Sequence, residues 1–141
     1  MNKLFNINWE KQEQYSDENG PIYVFIHKDF GILKVSEYAL FGSKQIPENN
    51  DYIIQSILRE YFLKKQNLII CIESEKLKYT NYAKSICKTL EEIQLEFPKN
   101  IIDKQTRTLL NLKRIQSDYG KFITEINGYD CFSRDNYETI F

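Results

Sequence analysis

The chain has 141 residues, 42% hydrophobic and 28% charged, with 19 Lys and Arg against 20 Asp and Glu, a net charge of -1 and a pI near 5.9. A chain of this length buries about two-thirds of its unfolded surface without metal or disulfide staples, which excludes disorder as the main state, and the balanced charge excludes a uniformly basic nucleic-acid binder. No apolar run reaches the ~18 residues of a membrane helix, polar Asn6, Asn8 and Glu10 interrupt any signal-peptide core, and the scattered Cys71, Cys87 and Cys131 suit free thiols in a reducing compartment, so a cytoplasmic location without membrane contact is expected.

Residues 4–9 alternate, with Phe5, Ile7 and Trp9 on one face, and read as a strand. The run Ser16-Asp17-Glu18-Asn19-Gly20-Pro21 is turn chemistry, because Gly relieves the φ restriction and Pro presets it. Residues 22–26 and 32–41 are β-branched and aromatic and flank Asp29-Phe30-Gly31, so they are expected to pair as a hairpin within an antiparallel meander.

Ile53, Ile54, Ile57, Leu58, Tyr61 and Phe62 make one apolar stripe at helical spacing, with Asn49-Asn50-Asp51 at its start. Residues 68–72 are a continuous apolar run too short for a helix, which predicts a strand buried on both faces at the sheet centre. Residues 74–97 carry Tyr79, Tyr82, Ala83, Ile86, Cys87, Leu90, Ile93 and Phe97 at helical spacing up to Pro98, and predict a second helix. A third helix is expected over 101–119, its apolar face Ile102, Leu109, Leu112 and Ile115 and its end at Gly120. Asn127-Gly128, set between Phe122, Thr124, Ile126 and Tyr129, Cys131, Phe132, predicts a terminal hairpin. With no linker or repeat, residues 1–141 read as a single α+β domain: meander, three amphipathic helices, a central buried strand and a C-terminal β-hairpin.

Chemical motifs are sparse. Asp29-Phe30-Gly31 spells a kinase metal-binding tripeptide, but no His-Arg-Asp loop or Gly-rich phosphate loop accompanies it, so it reads as a hairpin loop. His27 is the single histidine and no Cys-x-x-Cys pair exists, so no metal or cofactor is expected. Glu73 and Glu75 follow the buried strand. They suit helix capping more than acid-base work, and an enzyme with a pocket near Glu73 and His27 is the first alternative reading.

Charge is unevenly distributed: residues 1–63 net -3, residues 64–117 net +5, and residues 118–141 net -3. The basic middle, 76–114, holds Lys76, Lys78, Lys84, Lys88, Lys99, Lys104, Arg107, Lys113 and Arg114, and a nucleic-acid-associated protein using that stripe is the second alternative, disfavoured because Glu91 and Glu92 interrupt it. The acidic end sets Asp118, Glu125, Asp130, Asp135 and Glu138 among Tyr129 and Tyr137, a pattern suited to a basic protein partner. The leading expectation is therefore a non-enzymatic protein-binding protein of the immunity or antitoxin type. It would neutralise a bacterial toxin, such as a nuclease, by occluding its active site with Asp118, Glu125, Tyr129, Asp130, Asp135, Tyr137 and Glu138.

Overall fold

The computed structural model describes residues 3–17, 20–42, 50–79, 85–116 and 126–134. These form a mixed α+β arrangement, as the pattern of the sequence predicts, with seven strands in two sheets and five helices.

The first element departs from expectation. Residues 4–9 are not one strand but a tight hairpin of β1 (Lys3–Leu4) and β2 (Ile7–Asn8), with Leu4 opposite Ile7. Phe5 and Asn6, at φ 55 and 58, supply the two positive φ values a two-residue turn needs. Asn tolerates that conformation, and Phe5 is held in it by packing on the main core, while the Trp9 indole N–H donates to the Leu4 carbonyl at 3.1 Å.

The main sheet has the order β3-β4-β5-β6-β7. Its antiparallel part is β3 (Lys11–Asp17), β4 (Gly20–His27) and β5 (Gly31–Ser36), so the meander is present but begins at Lys11. β3 escapes the pattern because it is an exposed edge and is polar almost throughout. The expected long strand 32–41 stops at Ser36. That residue's Oγ accepts the Ala39 N–H at 3.2 Å and opens α1 (Glu37–Gly42).

α2 (Asp51–Leu63) buries Ile54, Ile57, Leu58 and Tyr61 of its expected stripe, while Ile53 is partly buried and Phe62 is exposed. β6 (Leu68–Ile70) is buried throughout, also as expected, although β5 and not β6 is the middle strand. It runs parallel to β5 and to β7 (Ile86–Lys88).

The single helix expected over 74–97 is replaced by a 3-10 turn (Glu73–Glu75), α3 (Lys76–Tyr79), β7 and α4 (Leu90–Leu95). Apolar residues recur there because each short piece buries its own, so a helical period arises with no continuous helix. The break is marked by a reciprocal cap, in which Thr89 N donates to Glu92 Oε1 at 3.0 Å and Glu92 N to Thr89 Oγ1 at 3.2 Å.

α5 (Ile101–Ile115) starts at Asn100, whose side chain accepts the Asp103 N–H at 2.8 Å. The expected terminal hairpin is not formed at Asn127-Gly128. These residues begin a 3-10 turn (Gly128–Asp130), in which Asp130 Oδ2 accepts the Asn127 N–H at 3.0 Å; residues 117–125, the other half of that expectation, lie outside the described residues.

Period-2 alternation divides the core. Leu68 and Ile70 join Phe25, Leu33, Val35, Ile54 and Ile57 in the main core, whereas Ile69 and Cys71 point to the opposite face with Ile22, Val24 and Tyr79.

Candidate functional site

The apolar face expected for α5 is only half realised: Leu112 and Ile115 are partly buried, but Ile102 and Leu109 face solvent and polar residues take the most buried positions. Thr108 and Asn111 are 0% exposed, while Ile102 is 72% and Leu109 57% exposed, with Ile101 and Leu110 also open to solvent. At ~100° per residue Ile102 and Leu109 share one side of the helix, opposite Arg107 and Asn111, with Leu110 on one flank and Ile101 and Thr108 on the other.

The inward face is polar because α2 and the C-terminal turn bring buried carboxylates to it. Arg107 clasps Glu60 in a fork, Nε to Oε2 at 2.9 Å and Nη2 to Oε1 at 2.5 Å, and its Nη1 donates to the Glu96 carbonyl at 2.7 Å. Asn111 Nδ2 donates to the Asp130 carbonyl at 3.1 Å. The Tyr61 hydroxyl donates to Glu96 Oε1 at 2.8 Å, and burial followed by that carboxylate pushes its pKa well up. An apolar inner face would leave Glu60, at 4% exposure, with no countercharge, so helix orientation follows the ion pairs.

A second feature lies at the β4–β5 turn, where an open cleft of about 230 Å³ is lined by Asn6, Asn8, His27, Asp29, Gln55 and Tyr129 among others. The Tyr129 hydroxyl donates to Asp29 Oδ2 at 3.0 Å; burial, then Asp29, raises its pKa, so it acts as a neutral donor. His27 Nδ1 accepts the Asp29 N–H at 2.9 Å, which leaves the proton of a neutral ring on Nε2. Gln55 Nε2 donates to the Phe5 carbonyl at 2.9 Å and fixes the β1–β2 hairpin against α2 at the rim. Arg59 fastens the floor, donating from Nη1 to the Asp29 carbonyl and from Nε to Asp130 Oδ1, each at 2.6 Å.

The sequence-predicted residues separate accordingly. Asp130 is 1% exposed and tied to Arg59, so it cannot touch a partner directly, contrary to the expectation of a surface acid. Tyr129 is partly buried beside the cleft. Asp118, Glu125, Asp135, Tyr137 and Glu138 lie outside the described residues.

Glu73 and His27 do not share a pocket. β5 runs from His27's partner Gly31 to Ser36, and Glu73 follows the far end of parallel β6, so the two stand at opposite ends of the sheet. Glu75 is a cap: its Oε1 accepts Ser36 Oγ at 2.6 Å and Ile72 N at 3.1 Å.

The basic segment is not one stripe. Lys76 pairs with Glu92 at 2.7 Å, Lys88 lies 3.9 Å from Glu96, and Arg107 is turned inward, while Lys84 is outside the described residues. Lys78, Lys99 and Lys113 are exposed, and Lys104 and Arg114 partly buried. Among the described residues no group of His, Cys, Asp and Glu is placed to hold a metal ion, and no helix is long and apolar enough to cross a membrane. Comparison with protein-family models, with curated proteins and with solved structures gave no match.

Proposed function

We propose that the chain is a non-enzymatic protein-binding protein whose docking surface centres on the outward face of α5, and that its partner is a toxin domain whose active cleft it occludes. The observation that carries the binding reading is the exposure of Ile102 and Leu109 on one side of α5, with exposed Leu110 and Ile101 on its flanks, opposite the side that Arg107 and Asn111 hold to the body of the fold. Several large apolar side chains turned together to water favour a macromolecular contact, and a helical face reads as anchors spaced along one groove.

The inhibitor form of the proposal rests on charge. α5 is followed in the sequence by Asp118, Glu125, Asp135, Tyr137 and Glu138, residue types that steer a basic, phosphate-holding cleft toward the chain and add aromatic contact area. Asp130 contributes to this only by holding the turn that carries Tyr129.

The test is co-expression in a bacterial host with the protein encoded by the adjacent reading frame. Relief of growth arrest by the wild-type chain, lost with Leu109→Glu while Leu109→Glu remains folded, is the expected result. A neighbour that causes no arrest, or an arrest the chain does not relieve, defeats the inhibitor reading.

A further inference from the structure

We propose that Cys71 and Cys87 are an oxidisable thiol pair that peroxide closes to an intramolecular disulfide joining β6 to β7. Ile69 stands opposite Cys87 in the parallel ladder, and Cys71 follows Ile69 by two positions, so alternation sets both thiols on the same sheet face. The Cys71 N–H donates to the Lys88 carbonyl at 3.0 Å, which holds that offset. Both side chains belong to the small core around Ile69 and Tyr79, and the two sulfurs are within hydrogen-bonding reach of each other.

Their surroundings differ in a way that assigns roles. Cys71 is 1% exposed, whereas Cys87 is only partly buried and is the more accessible of the two. The hydrogen bond from Cys71 favours the Cys87 thiolate, and Lys76 adds to this against burial and the carboxylates of Glu75 and Glu92, so Cys87 ionises below the ordinary thiol value and Cys71 above it. Lys76 also pairs with Glu92 at 2.7 Å, which keeps its ammonium beside β7.

In the first step the Cys87 thiolate attacks one oxygen of hydrogen peroxide. The O–O bond breaks, hydroxide leaves and takes a proton to become water, and Cys87 becomes a sulfenic acid. Cys71 then gives up its proton as its sulfur attacks the Cys87 sulfur, the S–O bond breaks, and a second water leaves. Two thiols lose two electrons and the peroxide gains them. Positions offset by two residues on adjacent strands are about 8 Å apart between Cα atoms, more than a disulfide spans, so closure draws the Cys71 end of β6 toward β7 just past the last ladder pair, Ile70 and Lys88.

The experiment treats the full chain with hydrogen peroxide, alkylates remaining thiols, and digests with trypsin without reduction. Peptides 66–76 and 85–88 should appear joined, about 2 Da lighter than their sum, and separate on treatment with dithiothreitol. Cys131→Ser should leave the cross-link intact, Cys87→Ser should abolish it, and Cys71→Ala should leave a dimedone-reactive sulfenic acid on Cys87. Release of the two peptides separately, or linkage of either to peptide 122–134, overturns the proposal. The wild-type peptide map decides even where a variant fails to fold.

Discussion

Arg59 Nε donates to Asp130 Oδ1 at 2.6 Å across 71 residues of sequence, and the carboxylate is 1% exposed. Because Arg59 also holds the Asp29 carbonyl, one guanidinium fastens both the C-terminal turn and the β4–β5 turn to α2. Asp130→Ala would leave a largely buried cation and the Asn127 N–H without their acceptor, and should destabilise by about 3–5 kcal/mol. Asp130→Asn, which keeps an acceptor, should cost less. Urea midpoints of the two variants check the order; a loss below about 1 kcal/mol for Asp130→Ala would remove the clamp from the explanation of the fold.

Gly31 has φ +73, and a Cβ there would collide with the Phe62 ring. Gly31→Ala should therefore destabilise by about 1–3 kcal/mol through combined backbone strain and overpacking. Adding Phe62→Leu should recover part of this by removing the collision, while the strain from positive φ remains. Thermal melts of the single and double variants separate the two contributions.

Ser36 is wholly buried, donates to Glu75 Oε1 at 2.6 Å and accepts the Ala39 N–H at 3.2 Å. Ser36→Ala removes the cap of α1 and a partner of Glu75 together, for an expected loss of about 2 kcal/mol. Ser36→Thr should retain most of the stability. Amide exchange is predicted to accelerate at Ala39 before it does in α2.

Lys76 and, after it, the Thr89 N–H hold the Glu92 carboxyl below its ordinary value of 4.5. A depressed carboxylate contributes stability that is complete above the unfolded value and is lost as pH falls through the lower folded value. Glu92→Gln should thus lower stability by about 1 kcal/mol or less at pH 7, since the ion pair is partly exposed. The difference from wild type should shrink below pH 4.5. A difference that stays constant across that range would assign the effect to packing instead of charge.

What could be read in advance follows from how local each cause is. Most of the α2 stripe and residues 68–70 of the 68–72 run are legible because one face of α2 and both faces of β6 are buried. β3 is not, because an exposed edge strand needs no apolar pattern. In 74–97 the 3-10 turn, α3, β7 and α4 together mimic one helical period, although Thr89-x-x-Glu92 carries the capping signal at the start of α4. The polar inward face of α5 has no local signal at all, since it depends on Glu60, 47 residues away from Arg107. A hint does exist in composition: two of the chain's few arginines form the buried pairs, where a planar fork is needed and Lys would not serve. Of the candidate contact residues, Asp130 looked exposed because its partner Arg59 lies in a distant helix.

The most direct measurement is the affinity of the neighbouring-frame toxin domain for the wild-type chain and for Ile102→Ser/Leu109→Ser, alongside the unfolding midpoint of each. Docking through the outward face of α5 predicts a loss of about tenfold or more in affinity at an unchanged midpoint, because both side chains are already in water in the unbound chain. Equal affinity of a folded double variant would contradict it.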